Sequence, residues 1–354
     1  MSDSQPGMSS NGTMRQSVFL GPRHLEIQEI PIPEPNRDQV LVKVNSCALC
    51  TWEQRMYTGE DPHYPLAGGH EVSGEVVKVG ERVFSVKPGD HVTVSGLVRC
   101  EQCESCRRGL NNICENMYKV REKQPTPGPA GLGQYVLRLG ADCYVVPDSV
   151  PFEHAALTEP LSCVLRSIKH AKLAPREKVV IVGAGIMGML HLLLAKRRGA
   201  EVFISEPDEG RRKKAMEIGA DDTFNPLEED YVEKVKALTG GRGADATFVC
   251  VAHGATIEPA VNASAPGGRV MLYSSFFPKG EKIQVDPNIF HKTEVVLTGT
   301  MSQSRQDFFE AAEIIANQEL DLEPLISARF PLDDLESAFE AALKVDTYRV
   351  IVNP

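Results

Sequence analysis

The sequence predicts an α/β protein in which an all-β section precedes a parallel sheet covered by helices on both faces. Three observations predict it. Short β runs punctuated by glycine and proline fill the first part of the chain, the texture turns helical near residue 155, and from residue 179 strands and helices alternate. Residues 16–45 alternate in polarity and carry Pro31, Pro33 and Pro35, which reads as strands and turns. VLVKV (40–44), VSGEVVKVG (72–80) and DHVTV (90–94) continue as short strands, with turn signals such as Lys87-Pro88-Gly89-Asp90 between them. Helical periodicity covers 161–171. There follow a strand at 179–183, a helix at 186–198, a strand at 201–205, helices at 209–218 and 230–238, a strand at 246–251, a helix at 256–264, and strands at 269–273 and 295–299. The tail gives helices over 308–320 and 332–344 and a closing strand, 349–353.

A length of 354 residues implies about two domains on a prior of roughly 150 residues each. The net charge of −10 argues against nucleic acid or an anionic membrane as the main partner. The longest apolar stretch, 179–195, is broken by glycines and His191 and falls short of the roughly 20 residues a membrane span needs. The first thirteen residues are polar and read as a disordered leader, with no export signal. Nine cysteines, an odd number in a long chain, then point to reduced cytoplasmic thiols and metal ligation rather than a disulfide framework.

Cys100, Cys103, Cys106 and Cys114 carry the most specific signal, C-x2-C-x2-C-x7-C. Four thiolates close a tetrahedral shell around Zn²⁺ and leave no position for substrate, so such a site is structural. Gly183-Ala184-Gly185-Ile186-Met187-Gly188 follows an apolar strand and opens a helix. That context raises G-x-G-x-x-G from a weak pattern to a dinucleotide turn: the first glycine allows the turn, the second lets backbone approach a pyrophosphate, the third packs helix on strand. The helix N-terminus favours phosphate. The bland alternative is a glycine turn without ligand. Glu206, at the end of the next strand, can accept both ribose hydroxyls and would repel a 2′-phosphate, favouring NAD over NADP. Ser205, Arg211 and Arg212 pull the other way, since a nearby guanidinium can host that phosphate.

Three further segments carry metal-ligand chemistry: Cys47-Ala-Leu-Cys50-Thr-Trp-Glu53, His70-Glu71 after two glycines, and Glu159-Pro160-Leu161. Each also has a bland reading: a redox CxxC pair, a strand-end His-Glu, a helix-capping glutamate. Spacing alone does not bring them together.

With these motifs the chain resembles the zinc-dependent medium-chain alcohol dehydrogenases, nearest the sorbitol (polyol) and threonine dehydrogenase branch, over nearly its whole length from about residue 16. Gly69-His70-Glu71, the four-cysteine lobe, Glu159-Pro160-Leu161, the 183–188 turn, GRGAD (241–245), PGGRV (266–270) and FPLDDLESAFEA (330–341) carry the likeness. The resemblance implies a GroES-like β-barrel catalytic domain over 14–165 and 305–354, a Rossmann domain over 166–304, and an active site in the cleft between them. It implies two zinc ions per chain. One is catalytic, surrounded by Cys50, His70, Glu71 and Glu159, with the two glutamates alternating or one binding through water; the other is structural, in the four-cysteine lobe. The catalytic zinc would polarise an alcohol oxygen, and hydride would pass to the nicotinamide. Tyr273, Ser274 and Ser275, and Met301-Ser302, match positions near the nicotinamide, although Tyr273 equally suits a core aromatic.

The sequence departs from the family's C-x-[ST]-D pattern after the zinc cysteine. Trp52 stands at the hydroxyl position, Arg55 where a histidine is common, and Glu53 replaces the aspartate while keeping the ability to orient His70. A bound water, Thr51 or a substrate hydroxyl would take the relay that Trp52 cannot, or the substrate differs from simple alcohols; a sugar, polyol or cyclitol has neighbouring hydroxyls that supply their own hydrogen bonds. The expectation is an oxidoreductase transferring hydride between such a secondary alcohol and NAD, assembled as a homodimer or homotetramer. The alternatives are NADPH-dependent carbonyl reduction and a non-catalytic NAD(P)-binding relative.

Overall fold

A computed structural model describes residues 12–117, 119, 127–276 and 279–354. The chain divides into two compact units, Met1–Glu159 with Phe308–Pro354, and Pro160–Asp307. The expected leader, 1–13, lies outside the described residues except for Gly12 and Thr13. Thr13 corrects that expectation: it already opens the strand Thr13–Gly21, which pairs antiparallel with His24–Pro31. Proline at Pro31 ends the partner strand, where a missing N–H breaks no ladder.

The main sheet of the first unit runs in the order Ile326–Pro331, Arg349–Asn353, Gln39–Ala48, Glu71–Val79, His91–Val94, Cys143–Val145, and Tyr135–Leu139 also pairs with Gln39–Ala48. Gln39–Ala48 is therefore a central strand. Val40, Leu41, Val42 and Val44 are all buried, which is why it reads as an apolar run rather than a clean alternation. Because Leu49 N–H donates to Val350 O at 2.9 Å, the end of this strand lies beside the C-terminal strand. Arg349 and Cys50 flank that bonded pair.

The short helix Thr51–Thr58 starts directly after Cys50 and ends on Gly59 in the left-handed region. Its eight residues would not hold a helix alone. Packing supplies the rest: Tyr57 stacks on Phe339 at 4.7 Å between centroids, and Phe19 meets the same ring edge-on at 5.5 Å. Phe339 lies on the helix Leu335–Ala342 and is fully buried. The C-terminal segment thus fixes the helix that carries Trp52 and Glu53.

The second unit is a six-stranded parallel sheet ordered Asp222–Phe224, Glu201–Ser205, Lys178–Val182, Ala244–Val249, Ser264–Leu272, Val296–Gly299. Taken in sequence the order is 3-2-1-4-5-6, and the direction of winding reverses between Lys178–Val182 and Ala244–Val249. In such sheets the crevice at the carboxyl ends of those two strands binds ligand, and Gly183 begins there. Val179, Val180 and Ile181 are wholly buried, as expected of a strand covered on both faces. The three-residue strand Asp222–Phe224 is absent from the sequence-based reading, since three residues show no period. Among the described residues no helix is long and apolar enough to cross a membrane.

Phe339→Ala removes the ring on which Tyr57 and Phe19 both rest. It is expected to destabilise the protein by about 3–5 kcal/mol, the usual range for a large buried aromatic, read as a lowered midpoint in denaturant unfolding.

Candidate functional site

The first candidate site assembles from three chain segments of one unit. Cys50 stands in extended conformation ahead of the helix Thr51–Thr58, and its side chain makes no capping bond. Glu53 lies in the first turn and is wholly buried. Gly69 has φ +94, and a Cβ there would lie 2.4 Å from Leu132 N and 2.8 Å from Cys47 Sγ, so only glycine permits this turn. The turn delivers His70 to the helix. Glu53 Oε1 accepts from Gly69 N–H at 3.0 Å and from His70 Nδ1 at 2.7 Å. With its proton on Nδ1, the imidazole keeps the Nε2 lone pair for another partner. Glu159, in the first turn of the helix Thr158–His170, brings Oε2 to 3.9 Å from that Nε2. Donor atoms of Cys50, Glu53 and His70 all lie within 4.8 Å of one another, and so do those of His70, Glu71 and Glu159.

Glu71 differs from the other donors. Both of its oxygens are held by Arg349: Nε donates to Oε2 at 2.9 Å, and Nη2 donates to Oε1. Both side chains are buried. Burial pushes the Glu71 carboxyl up to about 7, with Arg349 opposing and the charge of Glu159 adding. Arg349 is held protonated, Glu71 and Cys50 outweighing the cost of burial. Sequence reasoning missed Arg349. Its one signal is a charged residue ahead of three apolar ones in the closing strand, Arg349–Asn353.

The electrostatics of this cluster suit a cation. Three carboxylates and a thiol face one guanidinium and one imidazole, and buried charge must be compensated. Burial works against charge on His70, yet Glu53 and Cys50 raise its pKa well above the usual range. Burial, and then Glu71, raise the Cys50 thiol. A sulfur, an imidazole nitrogen and carboxylate oxygens are the donor types zinc takes at catalytic sites, where a further position stays open. The residues therefore fit a zinc ion. Cys47 stands apart as a buried core residue of the strand Gln39–Ala48.

The second cluster is sulfur alone. The Sγ atoms of Cys100, Cys103, Cys106 and Cys114 lie within 4.8 Å of one another. Amide donors surround them: Cys103 N–H and Asn116 Nδ2 each reach Cys100 Sγ at 3.3 Å, Cys106 N–H reaches Cys103 Sγ at 3.4 Å, and Cys100 N–H reaches Cys114 Sγ at 3.3 Å. Such donors stabilise thiolates. Donation from Asn116, then from Gln102 and Cys103 N–H, lowers Cys100 to about 6, whereas burial raises Cys106 to about 12. The set fits a closed zinc site with no open position. Among the described residues no cysteine is in a disulfide.

The third site belongs to the parallel-sheet unit. Gly183 has φ +97, and a Cβ on Gly188 would lie 1.9 Å from Gly183 O, so strand and helix pack at contact distance. Ile186 and Met187 open the helix Ile186–Arg197, whose N-cap, Gly185, offers no side-chain cap. Its first N–H groups thus lack an intrahelical or capping partner, which is the chemistry that takes a pyrophosphate. Glu206 is buried, with its carboxylate on the glycine turn: Oε2 accepts from Ala184 N–H at 2.8 Å. Arg211 Nη1 lies 3.9 Å from the place a Cβ on Gly185 would take, and Arg212 Nη1 donates to Glu206 O at 2.8 Å. Tyr273 follows the strand Ser264–Leu272, ahead of Ser274 and Ser275, and meets His191 edge-on at 4.7 Å.

Comparison with known proteins covers most of the chain. Residues 36–148 match the family described as alcohol dehydrogenase GroES-like domain, and residues 186–317 the family described as zinc-binding dehydrogenase. L-threonine 3-dehydrogenase of Pyrococcus furiosus is 31% identical over 337 residues, covering 92% of this chain and 94% of the relative. Sorbitol dehydrogenase of Bacillus subtilis is 28% identical over 349 residues, covering 96% and 97%. Among solved structures, a protein classed as a zinc-binding dehydrogenase from Sinorhizobium meliloti 1021, bound to NADP, superposes with a TM-score of 0.89 at 26% identity, covering 97% of this chain and all of that one.

The two clusters are expected to load independently. Wild-type protein should carry about two zinc ions per chain by elemental analysis, and Cys50→Ala about one. A count of one that Cys50→Ala does not change would mean that only the four-cysteine lobe is filled.

Proposed function

The chain belongs to the zinc-binding alcohol dehydrogenase family, and from that premise we propose that it transfers hydride between a secondary alcohol of a sugar, polyol or cyclitol and NAD. The observation that carries the reading is that two donor triads, Cys50 with Glu53 and His70, and His70 with Glu71 and Glu159, share His70. Zinc bound there would supply Lewis acidity and lower the pKa of an alcohol hydroxyl toward neutrality. The residues' own work is positional. Glu53 holds Nδ1–H of His70 and so aims Nε2 at the donor set. Cys50 and Glu159 bring two negative charges, enough to balance a divalent ion. We assign Glu71 the role of alternate donor, held beside the set by its ion pair with Arg349, which uses one lone pair on each oxygen.

The substrate class rests on Trp52. Its ring meets His70 edge-on at 5.7 Å between centroids, so an indole lies alongside the donor set. An indole offers an apolar face and one N–H donor but no lone pair to receive a hydroxyl proton. The hydroxyl of Thr51, exposed at the start of the same helix, a water, or a second hydroxyl of the substrate must take that part. Polyols and cyclitols carry such a hydroxyl; short alcohols do not. Turnover of a short secondary alcohol should rise in Trp52→Ser while turnover of polyols falls. If neither changes, Trp52 does not select substrate.

For the cofactor, Glu206 favours NAD, and Arg212 is occupied with the carbonyls of Glu206 and Pro207. The second reading, NADPH-dependent carbonyl reduction, draws on Arg211 near Gly185 and on the NADP bound by the Sinorhizobium protein. Fluorescence titration separates them. NADH is expected to bind at least tenfold more tightly than NADPH, the scale on which one lost charge-assisted hydrogen bond or one close like charge acts. Tighter NADPH binding would overturn the choice of NAD.

A further inference from the structure

We propose that Glu206 is the brace of the phosphate-binding turn, a positioning residue as well as a reader of the ribose. The inference rests on the reading that this unit binds NAD(P). Ala184 lies in the middle of the turn, just beyond the strand Lys178–Val182, and is wholly buried. Its N–H has left the sheet ladder, and a buried N–H must find an acceptor elsewhere. It finds Glu206 Oε2 at 2.8 Å. The other oxygen accepts from Asp208 N–H at 3.0 Å. The brace is itself anchored by backbone: Gly183 N–H donates to Ser205 O at 2.8 Å, and Glu206 N–H to Phe224 O at 3.0 Å. On the far side the turn has no slack, because Gly183 O lies against Gly188. One carboxylate thus ties together the end of Glu201–Ser205, the glycine turn and the approach to the helix Glu209–Ile218.

An ionised carboxylate has about four lone-pair sites. Two are used in the bonds to Ala184 and Asp208, and two remain, one per oxygen, for a ribose diol. The group that reads the sugar is therefore the group that shapes the pyrophosphate cradle. A substitution meant to admit a 2′-phosphate also removes the acceptor of Ala184 N–H and loosens a turn that NAD and NADP both require. Arg212 cannot take over, since it is a donor and its Nη1 is engaged on two carbonyls. Cofactor preference should then resist inversion at position 206 alone.

Two measurements on full-length protein test this. The first is amide hydrogen exchange at Ala184 without cofactor. Exchange should accelerate on the order of tenfold or more in Glu206→Ala, and Glu206→Gln, whose amide oxygen can still accept from Ala184, should restore most of the protection. The second is fluorescence titration with NADH and NADPH. Glu206→Ala should weaken both, each on the order of tenfold, and Glu206→Gln both by less. Loss of NADH affinity with a gain for NADPH, and unchanged exchange at Ala184, would show that Glu206 reads the ribose and braces nothing. If Glu206→Ala does not fold, Glu206→Ser, whose short side chain cannot reach Ala184 N–H, takes its place in both measurements: faster exchange at Ala184 with joint weakening supports the brace, and unchanged exchange with weakening of NADH only refutes it. Wild-type protein that binds neither nucleotide would sink the cofactor reading, while the exchange data would still judge the brace.

Discussion

The candidate metal cluster depends on one carboxylate that never meets solvent. Glu53 is wholly buried, and its Oε1 joins two chain segments by accepting from Gly69 N–H and from His70 Nδ1. A buried carboxylate costs several kcal/mol unless its oxygens find donors. Here the donors are a backbone amide in a turn that only glycine can form and the ring that must be aimed. The same contact therefore satisfies Oε1 of Glu53, fixes the turn and holds the imidazole at Nδ1, while Oε2 is buried without a hydrogen-bond partner. Phe339 supports it from behind by holding the helix through Tyr57.

A second constraint is charge. Glu71 lies between His70 and Arg349, and without the arginine the cluster would gather uncompensated carboxylates in a buried place. Breaking one side of a buried ion pair is costly because the remaining charge is stranded. This makes Arg349 more than a strand residue. It keeps Glu71 engaged in place beside the donor atoms of His70 and Glu159. The four-cysteine lobe solves the corresponding problem with amides: its sulfurs are ringed by N–H groups and by Asn116, which favour thiolate without bringing a counter-charge.

How much of this the sequence shows depends on the range of the interaction. The four-cysteine lobe and the 183–188 turn are local, so spacing alone exposes them. The alternating strands of the second unit are legible because Val179–Ile181 and their counterparts are buried on both faces. Cys50, His70 and Glu159 are legible as separate ligand types, but only the family resemblance joins them, since the sheet that brings them together is non-local. Arg349 is illegible for the same reason: its partner stands at the start of the strand Glu71–Val79, and nothing near Arg349 in the chain announces it. Asp222–Phe224 is too short to show a period, and Thr13 was hidden by the polar residues before it.

The glycine turns at Gly69 and Gly183 follow one physical rule. In each, a glycine at positive φ brings backbone against backbone, and a glutamate elsewhere in the same unit accepts the N–H that the turn exposes: Glu53 from Gly69, and Glu206 from Ala184. A turn that abandons the sheet ladder leaves an amide to be satisfied, and an ionised carboxylate satisfies it with a stronger bond than a neutral acceptor would. The carboxylate then has lone pairs to spare. In one unit the same oxygen also holds Nδ1 of His70. In the other the second oxygen holds Asp208 N–H. The acidic residue in each motif is thus part of the backbone architecture before it is part of the chemistry, and for that reason a substitution there is felt in the shape of the turn as well as in the ligand.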